Sequence, residues 1–132
     1  MTDKLTGRVT GIGGFFFKSK DPAALSNWYH TVLGIKPSPT TYEEPPWRTE
    51  AGTTIFEPFS IDTDYLGGFS SGWMINFRVD DLDAIVARLR DADHAVTYEG
   101  NGEPFPNGRF AKLEDPEGNA IQLWEPGGCD PG

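Results

Sequence analysis

Residues 72–94, GWMINFRVDDLDAIVARLRDADH, decide how the chain is read. Trp73, Ile75, Phe77 and Val79 alternate with Met74, Asn76 and Arg78, which is the two-residue period of a strand with one apolar face. The run passes into Asp80 and Asp81, either of which can cap a helix through its carboxylate. Leu82, Ile85, Val86 and Leu89 then recur at helical spacing until the pattern decays between Asp91 and His94. A similar stretch lies upstream. Residues 9–34, VTGIGGFFFKSKDPAALSNWYHTVLG, hold an apolar run, Asp21 as a cap and Pro22 at the first helical position. A stripe of Leu25, Trp28, Tyr29, Val32 and Leu33 follows, with Gly34 as a stop. Both stripes are read as core.

The two copies also end alike, in TTIFEP (residues 53–58) and AIQLWEP (residues 120–126). Asp21 and Asp81 are offset by 60 positions and Glu57 and Glu125 by 68, so the second copy carries a longer internal loop, placed at EGNGEPFPNG, residues 99–108. EDPEGN, residues 114–119, is a turn between two strands, with Pro116 and Gly118 supplying its backbone angles. The expected organisation is a single domain over residues 1–132. Module one spans about 9–58, a crossing loop 59–72, and module two about 73–126.

Composition limits the function. A chain of 132 residues fits one domain. Its formal charge of -9 opposes a phosphate backbone, so nucleic acid is not an expected partner, whereas an acidic field can draw in cationic small molecules. No stretch approaches the roughly 20 apolar residues of a membrane span, and no membrane partner is expected. The single cysteine, Cys129, allows no intrachain disulfide. A soluble, cytoplasmic protein is expected.

Strand, KDP or VDDLD, a helix ending near LG, and a final EDPEGNAIQLWEP together resemble the vicinal-oxygen-chelate superfamily (glyoxalase, bleomycin-resistance protein and extradiol dioxygenase), over roughly residues 9–126. The resemblance implies an α+β fold in which two paired β-α-β-β-β modules form an open eight-stranded cup, with helices outside and the ligand inside. It also implies a homodimer, with the cup closed within one chain or across two. Alternation assigns the faces independently. Ile75, Phe77, Ile121 and Leu123 should pack on helices, as should Phe15 and Phe17 by the offset of 60. The opposite set, Phe16, Thr54, Phe56, Met74, Asn76, Arg78, Gln122 and Trp124, is the expected ligand-binding wall: mostly aromatic, with a few directional polar groups. Truncating Phe77 should therefore open a cavity, and truncating Trp124 should mainly weaken binding.

Metal-dependent members of the superfamily take ligands from the first, fourth, fifth and eighth strands, which the resemblance carries to Gly14, Thr54, Met74 and Gln122. Only Gln122 could ligate, because glycine has no donor and a thioether is too soft for hard ions. His30 and His94 fall in and just beyond helices, and the acidic pairs Glu43–Glu44 and Asp62/Asp64 fall in loops. No metal and no cofactor is expected. Glu57, Glu125 and Tyr98 are the candidates for acid–base work, although the parity of Glu57 and Glu125 aims them away from the cup. Lys18 and Arg78 either form a cationic rim or pair with Asp21, Asp80 or Asp81. The function implied is a metal-free module that sequesters an aromatic or cationic small molecule. The alternative is a lyase, isomerase or dioxygenase with non-standard catalytic residues.

Overall fold

The computed structural model describes residues 6–67 and 72–132. Helix α1 (Pro22–Leu33) begins where Asp21 accepts a hydrogen bond from the Ala24 amide and ends at Gly34, whose left-handed φ of 73° returns its N–H to the last turn. Strand β1 (Ile75–Arg78) leads into α2 (Leu82–Asp91), capped by Asp81 on the Ala84 amide. The Glu125 carboxylate adds a bond from the Leu82 amide, so this residue, aimed away from the cup as its parity implies, closes the start of α2. Strand β2 (Thr97–Tyr98), a 3-10 turn (Glu99–Gly102), β3 (Gly108–Glu114) and β4 (Ala120–Pro126) complete the chain.

The sheet runs β1-β4-β3-β2, with β1 parallel to β4 and the other pairs antiparallel. In chain order this is one β-α-β-β-β unit, built from the second half. Leu82, Val86 and Leu89 of α2 and Leu25 and Tyr29 of α1 meet Ala111, Leu113, Ile121 and Leu123 of the sheet. Each large side chain so buried contributes about 1.5–3 kcal/mol relative to exposure.

Four strands form among the described residues, not eight, and the first half supplies none of them. It contributes α1, flanked by extended segments without ladder partners. A strand is stable only when its backbone groups are paired, and among the described residues segments 9–18 and 53–58 find no such pairing. Side-chain alternation survives all the same. Phe15 and Phe17 lie 5.0 and 5.1 Å from the Trp73 ring, and Phe17 reaches Tyr29, while Phe16 between them is 92% exposed.

Beyond the packing of α1 in the core, the turn between β3 and β4 ties down the first half. Buried Asp115 accepts bonds from the amides of Glu117 and Asn119, from the Asn119 side chain, and from the Tyr29 hydroxyl at 2.7 Å. Glu117 in turn accepts from Ser19 Oγ and from the amides of Lys20 and Asp21, just before α1. Burial and the Asp115 carboxylate push the Tyr29 hydroxyl far above its usual range, so it stays a donor.

Candidate functional site

Register puts Asn76 beside Gln122 and Arg78 beside Trp124, then Gln122 beside Lys112 and Trp124 beside Phe110. These side chains share the open face of the sheet, the one turned from the helices. The parity expected for Asn76, Arg78, Gln122 and Trp124 is the parity observed. Met74, one residue before β1, is half-buried.

At one end of the open face Trp124 stacks on Phe110, with ring centroids 6.2 Å apart and planes within 5°, and Phe105 meets Phe110 edge-on. Trp124 Nε1 donates to the Asn107 carbonyl at 2.9 Å, and the residue is only 3% exposed. Phe77 packs against the core from the helix side, as expected, and Trp124 is buried as well, so the indole is itself a packing element. A shallow groove of about 600 Å³ opens beside this aromatic group, lined by Phe105, Pro106, Arg109, Glu125 and Pro126.

At the other end is a polar chain. Asn76 Nδ2 donates to Gln122 Oε1 at 2.7 Å. Gln122 Nε2 donates to the Tyr65 hydroxyl oxygen at 2.8 Å and to Glu99 Oε2 at 2.6 Å, and the Tyr65 hydroxyl donates to Glu99 Oε1 at 2.7 Å. Lys112 Nζ donates to the Tyr65 carbonyl and stands 3.4 Å from the centre of its ring. Desolvation, then the Glu99 carboxylate, push the Tyr65 phenol up to about 12. Desolvation lowers the Lys112 ammonium, opposed by the charges of Glu99 and Asp64. Gln122, 6% exposed, thus has its whole amide engaged.

The remaining expected wall residues are not brought to this face. Phe16 and Phe56 are 92% and 88% exposed, and Thr54 is exposed, because the strands that would have carried them are unpaired. Arg78 donates to the Glu50 carbonyl at 2.9 Å, and Lys18 is exposed. Neither makes the expected ion pair; among the described residues the ion pair is Arg109 with Asp83. Tyr98 sits on the helix side of the sheet and donates to Asp83, whose carboxyl Arg109 and Tyr98 hold down to about 2; it is no part of the open face. Phe110 and Lys112 are absent from the expected wall, and RFAKLE gives the reason: each of its two alternate sets mixes charged and apolar residues, so periodicity alone does not assign its faces. Tyr65 and Glu99 carry no comparable signal, since both lie in irregular segments.

The positions to which the resemblance carries metal ligands do not fit a cation. Gly14, Thr54 and Met74 offer no suitable donor set, and the Gln122 oxygen is taken by Asn76. Among the described residues no group of three or more His, Cys, Asp or Glu could hold an ion.

The sequence matches the Glyoxalase/Bleomycin resistance protein/Dioxygenase superfamily over residues 11–123, and the chain belongs to that superfamily. Its fold is similar to that of TnmS3, an antibiotic binding protein from Streptomyces sp. CB03234, with a TM-score of 0.60 and 22% identity over 92% of this chain and 100% of that one. It is similar also to a glyoxylase/bleomycin resistance protein/dioxygenase domain from Frankia sp. EAN1pec, with a TM-score of 0.55 and 16% identity over 91% of this chain and 100% of that one. A glyoxalase/bleomycin resistance protein from Streptomyces sp. CB03234 is 39% identical, but over only 39% of this chain and 42% of its own length, with a TM-score of 0.34. No curated protein matches the chain by sequence. Among the described residues no helix is long and apolar enough to cross a membrane.

Proposed function

We propose that the chain is a metal-free, cytoplasmic small-molecule binding protein that sequesters an aromatic or cationic compound on its open face. The observation that carries this reading is the juxtaposition, on one sheet face, of the half-buried Phe110, backed by the buried Trp124 on which it stacks, with the hydrogen-bonding row of Asn76, Gln122 and Glu99. Aromatic surface supplies most of the contact, and a few fixed polar groups orient the ligand. The net charge of -9 favours cations. A like fold in a protein described as antibiotic binding supports the same reading.

The reading extends to assembly. We infer a homodimer in which Phe16, Thr54 and Phe56 belong to first-module strands that form against module two and complete an eight-stranded cup. Supporting this are the exposure of Phe16, Phe56, Ile61 and Tyr42, and the edge of β1, which among the described residues pairs only with β4. Sedimentation of only monomer at micromolar concentration excludes it.

The competing reading is a lyase, isomerase or dioxygenase with non-standard residues, and Glu99 is the group it would use. Tyr65 beside it, pushed up to about 12, is a proton donor at neutral pH and not a base.

Titration with proflavine, a planar aromatic cation, tests the leading reading. Tryptophan emission should fall in the native protein and respond less in Trp124→Phe, and Asn76→Ala should bind about tenfold more weakly. Equal binding by both variants sinks the assignment of the open face. Elemental analysis should find no stoichiometric zinc, nickel, iron or manganese, and methylglyoxal with glutathione should not turn over.

A further inference from the structure

The polar end of the open face is filled by a residue that does not belong to the sheet. Tyr65 comes from the irregular segment between the modules, stacked on Phe59 of the same segment with ring centroids 5.8 Å apart. Every polar group that meets its phenol comes from the second module: Gln122 from β4 and Glu99 from the 3-10 turn, with Lys112 of β3 against the ring. The hydroxyl is read in both directions. Its hydrogen goes to Glu99 at 2.7 Å, and its oxygen receives the Gln122 amide at 2.8 Å. Asn76 fixes which way that amide points by donating to its oxygen. An ether could accept but not donate here, and an ammonium could donate but not accept. The ring face is held by a cation, which a hydrocarbon surface would not need.

We propose that this pocket is a recognition subsite for a phenolic hydroxyl and that Tyr65 is its tethered occupant, displaced when a hydroxyaromatic ligand enters. The inference rests on the open face being the ligand site and names the chemistry that face selects. Tethering sets a high local concentration of the built-in phenol, so free phenols compete at a disadvantage that removing Tyr65 abolishes.

The probe is p-cresol, the side chain of tyrosine as a free molecule, with 4-methylanisole as the analogue that lacks the donor. Tyr65→Ala should bind p-cresol at least about tenfold more tightly than the native protein, and p-cresol should restore the melting temperature that the substitution lowers. Tyr65→Phe, which keeps the ring in place, should show no such rescue. Equal rescue by 4-methylanisole, or equal p-cresol affinity in native protein and Tyr65→Ala, overturns the proposal. Should Tyr65→Ala not fold, saturating p-cresol on the native protein decides instead. Amide exchange over residues 59–67 should quicken while β3 and β4 are unchanged, and unaltered exchange there overturns the proposal. Proflavine binding without p-cresol rescue removes this subsite and leaves the broader reading standing. Rescue without any proflavine binding does the reverse.

Discussion

The two halves of this chain are written in nearly the same sequence pattern, yet among the described residues only one of them forms a sheet. Leu123 and Trp124 in β4 are buried, while Ile55 and Phe56, which match them at an offset of 68, are 65% and 88% exposed. The difference lies in ladder partners. β4 is flanked by β1 and β3, so both its backbone edges are satisfied; helices cover one face, and on the open face its Gln122 and Trp124 are held by Tyr65, Phe110 and Asn107. The TTIFEP segment has an equal preference for strand and no ladder partner among the described residues. Alternation therefore specifies which side chains lie together, and pairing specifies whether the strand exists.

Matched substitutions can break that comparison. The largest expected effect is Trp124→Ala, which removes a buried stacked indole and should cost about 3–5 kcal/mol, while Phe56→Ala should stay within about 0.5 kcal/mol. Denaturant unfolding of both variants measures this. A Phe56→Ala penalty that grows with protein concentration would sharpen the comparison by showing that the first half gains its partners from a second copy.

Leu123→Ala should cost about 2–5 kcal/mol through the cavity it leaves against α2, against a near-neutral Ile55→Ala. Equal penalties would mean that the first half is as firmly packed as the second.

Tyr29→Phe comes next, since it leaves the buried Asp115 carboxylate short of one donor and loosens α1 from the β3–β4 turn. The expected loss is about 1–3 kcal/mol, with faster proteolysis of residues before Asp21. Unchanged proteolysis would show that the Tyr29–Asp115 bond is not needed to hold the first half in place.

The smallest effect is at alkaline pH. Tyr65 has a folded pKa raised to about 12 from an unfolded value of 10. The stabilisation it carries is complete below about pH 10 and is lost as pH rises through about 12, because only the protonated phenol donates to Glu99. Tyr65→Phe should therefore decline less steeply in melting temperature across that window. Identical slopes would show that Glu99 does not rely on this phenol.

Short-range chemistry accounts for everything legible in the order of residues alone. Asp21, Pro22 and Gly34 bound α1, Asp81 starts α2, and the EDPEGN turn separates β3 from β4, because capping and turn geometry depend on residues a few positions apart. Period-two alternation likewise assigns Asn76, Arg78, Gln122 and Trp124 to one face, since it depends only on the pleat of each strand. Tertiary structure alone decided which alternating segments pair and how deeply Trp124 is buried. It also brought Tyr65 and Glu99, 34 positions apart, together on Gln122. Those outcomes depend on contacts between segments distant in sequence, and nothing in the local pattern of either partner encodes them.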